Sequence, residues 1–137
     1  MRTRQVLTLD DARAIAAAAE AEALRHGWQV SIAVCDEGGH LMWLQRLDGA
    51  PLMSASVAPE KARASVLARK PSKALEDMVN NGRYAALHLP VQVMEGGEMI
   101  VLDGELLGAV GVSGVQAAQD AQIARAGIAA ISAGTSL

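Results

Sequence analysis

The sequence has few aromatic residues and a single cysteine. Phenylalanine is absent, aromatic residues make up 2% of the chain, and Trp28, Trp43 and Tyr84 account for them. The core must therefore be built from Ala, Val, Leu, Ile and Met, whose small volumes let helices lie close to a sheet. Cys35 has no partner for an internal disulfide, which is typical of a reducing compartment. It lies in an apolar segment, so we expect a buried, inert thiol.

Long apolar runs and clustered positive charge are also missing. No segment approaches the length of a membrane-spanning helix, and the opening basic residues are not followed by the apolar stretch of a signal peptide. The net charge is −3, which gives no electrostatic reason to expect nucleic acid. The basic residues Arg63, Arg69, Lys70 and Lys73 are expected on a solvated helix face. The sequence predicts a soluble cytoplasmic protein.

The chain length predicts one domain over residues 1–137. A chain of this size buries about two-thirds of the surface that its unfolded form exposes. Apolar residues make up 51% of the chain, and neither repeats nor linkers are present. So small and apolar a domain is expected to cover part of its surface by forming a homo-oligomer.

The periodicity of apolar residues predicts the order helix, hairpin, two helices, hairpin, helix. The helices are expected over 9–26, from 56 to before Pro71, over 73–79 and over 117–133, with strands over 30–35, 40–46 and on both sides of Asp103-Gly104. Hairpins imply antiparallel pairing. The predicted class is therefore α+β, an antiparallel sheet flanked by helices. Segment 83–95 is the least readable, and its alternating apolar residues leave an edge strand open.

Local signals give the boundaries of these elements. Thr8 is expected to cap the first helix, with Asp11 at its third position. Pro59 is assigned to the first turn of the second helix, and Ser72 to the cap of the third. Asp103-Gly104 best supplies the positive φ angles of a tight hairpin turn.

The strand after that turn breaks into Gly111-Val112-Ser113-Gly114, with glycines where a backbone must approach something closely. Such a hairpin could hold a small molecule or another subunit, or it could be plain architecture. If it holds a small molecule, Ser113 and Gly114 would form an anion site at the start of the last helix. The alternative is that Ser113 and Asp120 cap that helix.

A series of short motifs extends over nearly the whole chain. They are Val34-Cys35-Asp36-Glu37-Gly38-Gly39-His40-Leu41, Arg46-Leu47-Asp48-Gly49-Ala50, Ala58-Pro59-Glu60-Lys61-Ala62, Gly96-Gly97, Asp103-Gly104, Gly108–Gly114 and Gln119-Asp120. Together they resemble the GlcG/HbpS family, which includes the C-terminal domain of PduO-type proteins. Met99 departs from the family pattern, which commonly has proline there.

The resemblance implies a profilin-like α+β domain that assembles into homo-oligomers, often octamers, with a ligand pocket near subunit contacts. Several members of the family are described as haem-binding, so haem is the cofactor that the resemblance implies. The finer similarity is to a branch that is accessory to aromatic-compound catabolism.

A haem site would need an axial ligand in an apolar pocket. The candidates are His26, His40 and His88, with Met42, Met53, Met94 and Met99 behind them. His40 is preferred because it opens a strand beside Gly38-Gly39, whereas His26 is expected to meet a helix dipole. The three histidines are far apart in sequence, so no metal site is expected.

Acid–base chemistry on a small anion would need a cationic clamp and a carboxylate. Arg46, Lys61 and Glu95 are the candidate catalytic residues. Arg46–Asp48 and Lys61–Glu60 pairs that settle a loop are the alternative. The candidate ligand-binding residues are His40, Asp48, Glu60, Arg83, Gly96, Gly97, Ser113 and Gly114.

The leading hypothesis is a ligand-binding accessory protein, with haem or a related tetrapyrrole as ligand. The rival is a small cofactor-free tautomerase or hydrolase that acts on a hydroxymuconate-like ring-cleavage product. A purely structural oligomer that partners a catabolic enzyme is the third hypothesis.

Overall fold

A computed structural model describes residues 1–137, and its helices and strands follow the predicted order. The elements are α1 (Leu9–Arg25), β1 (Ser31–Asp36), β2 (Leu41–Arg46), α2 (Ser54–Ala68), α3 (Ser72–Asn80), a 3-10 helix (Tyr84–His88), β3 (Gly97–Leu102), β4 (Glu105–Ser113) and α4 (Ala117–Ala129). The strands form one antiparallel sheet in the order β2-β1-β4-β3, which confirms the α+β class. None of the helices combines the length and apolar character needed to cross a membrane.

The first helix begins where its cap was predicted. Thr8 Oγ1 accepts the Asp11 backbone N–H at 3.2 Å, and the Asp11 carboxylate accepts the Thr8 N–H at 2.9 Å. One face of the helix is buried, and it includes Ala12, Ile15, Ala16, Ala19 and Ala23. Because this face is mostly alanine, α1 packs closely on α4, where a Cβ at Gly127 would lie 2.8 Å from the Ile15 carbonyl oxygen.

The sheet has helices on both faces. Alternate residues of β1 point to opposite sides, so that Ile32 and Val34 join the large core beneath α1 and α4. Cys35 joins a smaller core with Ala62 and Val66 of α2. The predicted burial of Cys35 is confirmed, and burial raises the pKa of its thiol to about 12.

The β3–β4 hairpin turns at the predicted dipeptide. Asp103 and Gly104 have φ angles of 52° and 77°, the two positive values that this turn requires. At the outer edge of β3, Val101 exchanges both backbone hydrogen bonds with Gly134, at 2.9 and 2.7 Å. The chain after α4 thereby covers part of this edge.

Two predicted helix starts are wrong. α2 begins at Ser54 rather than Ser56, so Pro59 lies inside the helix and not in its first turn. The earlier start is stabilised by the Ser54 hydroxyl, which lies 2.8 Å from the Ser31 hydroxyl of β1. Ser72 is not a cap but the first residue of α3, and its Oγ accepts the Gly97 N–H at 2.8 Å. In both cases a contact with the sheet decided the local structure.

The segment before β3 forms no edge strand. A 3-10 helix occupies Tyr84–His88, and irregular chain leads from it to Gly97. The last helix is shorter than predicted and ends at Ala129 rather than 133. Pairing of Gly134 with Val101 draws the chain away from the helix axis at this point.

Candidate functional site

A buried ion pair joins α2 to α4 beside the start of β3. Lys61 Nζ lies 3.0 Å from Asp120 Oδ2, and both side chains are at most 5% exposed. Lys61 Nζ also donates to the Val112 carbonyl at 3.0 Å, while Asp120 Oδ1 accepts the Val115 N–H at 3.2 Å. Burial raises the pKa of Asp120, and the charge of Lys61 opposes that rise. The predicted Lys61–Glu60 pair is wrong, because Lys61 points into the protein and Glu60 is exposed.

Two of the predicted ligand-binding glycines enclose this lysine. Gly96 has a φ of +131°, and a Cβ there would lie 2.8 Å from Lys61 Nζ. A Cβ at Gly97 would overlap the Lys61 carbonyl oxygen, and one at Gly111 would overlap that of Ala58. What the hairpin glycines approach at these positions is the backbone and side chains of α2.

The other end of the glycine motif is also filled by the chain. A Cβ at Gly114 would lie 2.5 Å from the Gln29 carbonyl oxygen. The start of α4 is closed by Gln119, whose Oε1 accepts the Gln116 N–H at 3.3 Å. The prediction that Ser113 caps this helix is therefore wrong. Asp120 accepts the N–H of Val115, the residue before Gln116.

A second ion pair joins β3 to α4. Glu98 is 6% exposed and accepts a 2.9 Å hydrogen bond from Arg125 Nη1. Burial raises the pKa of Glu98, with an opposing effect of Arg125 and a smaller rise from the charge of Glu95. The charge of Glu95 also raises the pKa of Asp120. Glu95 directly precedes Gly96, where a Cβ would lie 2.8 Å from Lys61 Nζ. Shifted carboxyl groups beside a lysine are typical of functional sites and of structural ion-pair networks alike.

The structure separates the three candidate catalytic residues. Glu95 lies beside the Lys61 pair, whereas Arg46 is exposed on β2, at the opposite edge of the sheet from β3. Three strand spacings of about 4.8 Å separate those edges. Arg46 and Asp48 form no ion pair with each other, so that part of the alternative reading is also wrong.

The histidines lie apart on the surface. The His40 side chain is 83% exposed, and its Nδ1 lies 3.4 Å from Asp36 Oδ1. His88 ends the 3-10 helix and is exposed. His26 ends α1 as predicted, but its ring stacks on Trp28 at 4.3 Å and its Nε2 lies 3.4 Å from a Glu22 oxygen. His40 and His88 therefore have the freer imidazoles.

An apolar surface with a basic centre lies between these two histidines. Arg63 of α2 packs beneath Gly39, next to His40, and its Nη1 donates to the Pro90 carbonyl at 2.9 Å. Leu67 also packs beneath Gly39 and is 43% exposed. Leu87 and Leu89, just before Pro90, are 59% and 41% exposed. We call the surface formed by Arg63, Leu67, Leu87 and Leu89 the Arg63 surface.

A hollow of about 360 Å³ opens on the Arg63 surface. Its walls come from Glu60, Leu87 and Leu89, and from the chain over 90–93. Of the predicted ligand-binding residues, Glu60 lines this hollow, whereas Arg83 is exposed just before the 3-10 helix. Arg63 does not line the hollow but donates to Pro90, which does, so a guanidinium lies next to these mostly apolar walls. Apolar walls with a guanidinium nearby suit a ligand with a flat apolar body and a carboxylate.

The sequence prediction missed the roles of Asp120 and Arg63. Asp120 lies in the inward stripe of α4 with Ala121 and Ala124, so an acid within an apolar stripe was the available signal. Arg63 was expected on a solvated face, but it is half-buried beneath a turn that is distant in sequence. No local pattern indicated that packing.

Comparison with known proteins agrees with this architecture. The family model described as "Haem degrading protein HbpS-like" matches residues 7–129. Protein GlcG of Escherichia coli is 47% identical over 114 residues, which cover 82% of this chain and 85% of that protein.

Two solved structures are similar over nearly their whole length. The Klebsiella pneumoniae protein ORFY superposes with a TM-score of 0.91 at 27% identity, covering 96% of this chain and 94% of the other. A complex of PduOC with haem superposes with a TM-score of 0.88 at 30% identity, covering 97% and 100%. With the family model and the identity to GlcG, these matches show that the chain belongs to the GlcG/HbpS family.

Proposed function

We propose that this protein binds haem or a related tetrapyrrole at the Arg63 surface and acts as a non-catalytic accessory protein. The observation that carries the proposal is the similarity to PduOC, whose complex with haem matches this chain over the full length of PduOC. The chemistry of the Arg63 surface supports it, because a tetrapyrrole needs both apolar contact and a partner for its propionates.

The residues divide these tasks between them. Leu67, Leu87 and Leu89 supply apolar area for the macrocycle, and Arg63 makes no ion pair within the protein, so its guanidinium is available to a propionate. His40 and His88 flank the surface and are the candidate axial ligands. The imidazole of His40 is preferred, since Asp36 Oδ1 lies 3.4 Å from its Nδ1 and can orient the ring, while its Nε2 makes no hydrogen bond within the chain.

Self-association completes the proposed site. Four exposed apolar side chains lie on β2 and at the start of α2, and they are Leu41, Leu44, Leu52 and Met53. Contact with further copies of the chain would cover them and enclose the ligand from a second side. We place this homo-oligomer in the cytoplasm, in keeping with the single buried thiol.

Titration with hemin tests the proposal. A Soret shift that saturates at a fixed ratio of hemin to protomer is expected, and His40→Ala or His88→Ala should change the position of the band. Arg63→Gln should weaken binding by about tenfold, the loss of one charge-assisted hydrogen bond. His26→Ala is the matched control, because that ring is held by Trp28 and Glu22. Absence of a saturable shift would contradict the proposal.

A second candidate rests on the buried carboxyl groups. Asp120, paired with Lys61, and Glu98, paired with Arg125, both have raised pKa values. These shifts favour a small tautomerase or hydrolase that acts on a hydroxymuconate-like acid from aromatic catabolism, with Glu95 moving the proton. Turnover of such an acid should fall at least about 100-fold in Glu95→Gln. Equal turnover by the variant would remove this candidate and leave hemin binding untouched.

A further inference from the structure

Three arginines converge on a hollow at the hairpin end of the molecule. A cavity of about 440 Å³ is lined by Arg2, Arg4 and Arg69, by Gly104 of the hairpin turn and by Leu106 of β4. A second hollow of about 250 Å³ adjoins it, because Arg4, Arg69 and Leu106 line both. We call the two together the Arg69 hollow. It lies outside the Lys61 pair and the cavity of the Arg63 surface.

The segment that carries two of these arginines is fixed to the fold. Leu7 is 8% exposed and belongs to the main core, and its side chain lies against Gly108 of β4. The Gln5 N–H donates to Glu105 Oε2 at 3.2 Å. Arg4 is therefore presented beside the hairpin by the anchored backbone of Gln5 and Leu7, and Arg2 lines the same cavity two residues earlier.

Arg69 occupies a backbone conformation that disfavours its residue type. It follows α2 with φ 57° and ψ 42°, the left-handed geometry in which glycine or asparagine is usual. The helix dipole favours a cation at this end of α2, but any basic residue of the last turn would satisfy it. Observed strain of this kind is a reason to look for a function of the side chain.

The charge of the hollow is only partly compensated. Arg4 makes one long ion pair, 3.9 Å from Glu37 Oε1, and neither Arg2 nor Arg69 makes any. Glu37 and Glu105 also line the hollow, so three arginines face two carboxylates in a protein whose net charge is −3. The local excess is positive, and the second hollow adds apolar walls from Val66 and Leu67.

We infer that the Arg69 hollow binds a compact organic dicarboxylate. Planar guanidinium groups pair with carboxylates in a bidentate manner, and three arginines lining one cavity suit two carboxylates on one ligand. Leu106, Val66 and Leu67 provide the apolar floor for the carbon body between them. The hollow shares Leu67 with the Arg63 surface, but its three arginines take no part in the proposed tetrapyrrole contacts, so binding at the hollow is tested independently of hemin binding.

Calorimetric titration with phthalate tests the inference. Phthalate has two carboxylates on a rigid apolar ring, and benzoate and sulfate at matched ionic strength separate the contributions of ring and charge. We expect phthalate to bind saturably, and more tightly than benzoate or sulfate. Arg69→Asn tolerates the left-handed backbone but lacks the charge, so it should bind phthalate about 10- to 100-fold more weakly. Arg13→Asn, an exposed arginine on α1, is the matched control.

The unfolding temperature of the ligand-free variant gives a second readout. Arg69→Asn should match or exceed the wild-type value, since asparagine relieves the backbone strain. The inference is overturned if phthalate does not bind, if benzoate or sulfate binds as tightly, or if Arg69→Asn binds like the wild type. It is also overturned if that variant is less stable without ligand, because Arg69 would then be structural.

Discussion

Gly97 of β3 faces Gly111 of β4 in register across the hairpin, and both lie directly against the backbone of α2. A Cβ at Gly111 would lie 2.5 Å from the Ala62 nitrogen, and one at Gly97 would lie 3.1 Å from Ser72 Oγ. This pair of glycines lets α2 sit on the sheet closely enough for Lys61 to reach Val112 and Asp120.

Replacement of Gly111 by alanine should destabilise the protein by about 1–3 kcal/mol or more, because α2 must move away from the sheet. Chemical denaturation would measure the change in the free energy of unfolding. Gly38→Ala is the control, since its Cβ would meet no backbone atom, only the movable ring of His40 and, at 3.5 Å, Asp36 Oδ1. Equal stability of the two variants would contradict the role of the glycine pair.

The Lys61–Asp120 pair should behave as a buried unit. Lys61→Met or Asp120→Asn alone should each cost about 3–5 kcal/mol, because the remaining partner is left buried without its counter-charge. The double variant should lose less than the sum, by about 0.5–3 kcal/mol. A double-mutant cycle of unfolding free energies measures this coupling, and strict additivity would contradict it.

The stability of the protein should fall as Glu98 ionises. Burial raises the pKa of Glu98 in the folded protein above its ordinary 4.5, so the folded state holds this proton more tightly than the unfolded state does. The stability that the protonated Glu98 contributes is therefore present below pH 4.5, and it is lost as the pH rises through the pKa of Glu98 in the folded protein. Unfolding free energies measured upward from pH 4 should show a smaller fall in Glu98→Gln.

Removal of Arg125 should shift the pH dependence of stability instead of reducing it. Its charge and its hydrogen bond lower the pKa of Glu98, so Arg125→Gln should raise that pKa and carry the loss of stability to higher pH. The two variants measured together identify Glu98 as the titrating group. Identical pH profiles for wild type and both variants would rule it out.

Cys35 should be inert in the folded protein. Burial raises the pKa of its thiol to about 12, so almost no thiolate is present at pH 8. Reaction with a chromogenic disulfide reagent should proceed only at the rate of unfolding and should become fast in urea. Rapid labelling of the native protein would show that Cys35 is accessible.

The features predicted correctly depend on neighbouring residues. The capping box of Thr8 and Asp11 is made within one helical turn, and the turn at Asp103-Gly104 follows from the φ angles that those two residues accept. The strand predicted over 30–35 forms at 31–36, and its alternating Ile32 and Val34 lie in the main core. Each of these signals involves residues at most a few positions apart.

The incorrect predictions involve contacts between distant segments. Ser72 has the chemistry of a helix cap, but it bonds to the N–H of Gly97, 25 residues away. Lys61 was expected to pair with its neighbour Glu60, yet its partner lies 59 residues away. Apolar residues alternate over 83–95 as they do in a strand, but this segment pairs with neither edge of the sheet. Part of it forms a 3-10 helix instead.

The sequence by itself determined the α+β class, the order of the elements, the central hairpin and the family, because periodicity, turn residues and motifs are local properties of the chain. Only the tertiary structure decided which charges meet. It buried Lys61 against Asp120, left Arg46 at the opposite edge of the sheet, and gathered Arg2, Arg4 and Arg69 at one hollow. The physical reason is that these placements depend on contacts between distant segments, such as the crossing of α2 over the glycine-bearing strands, which no single segment encodes.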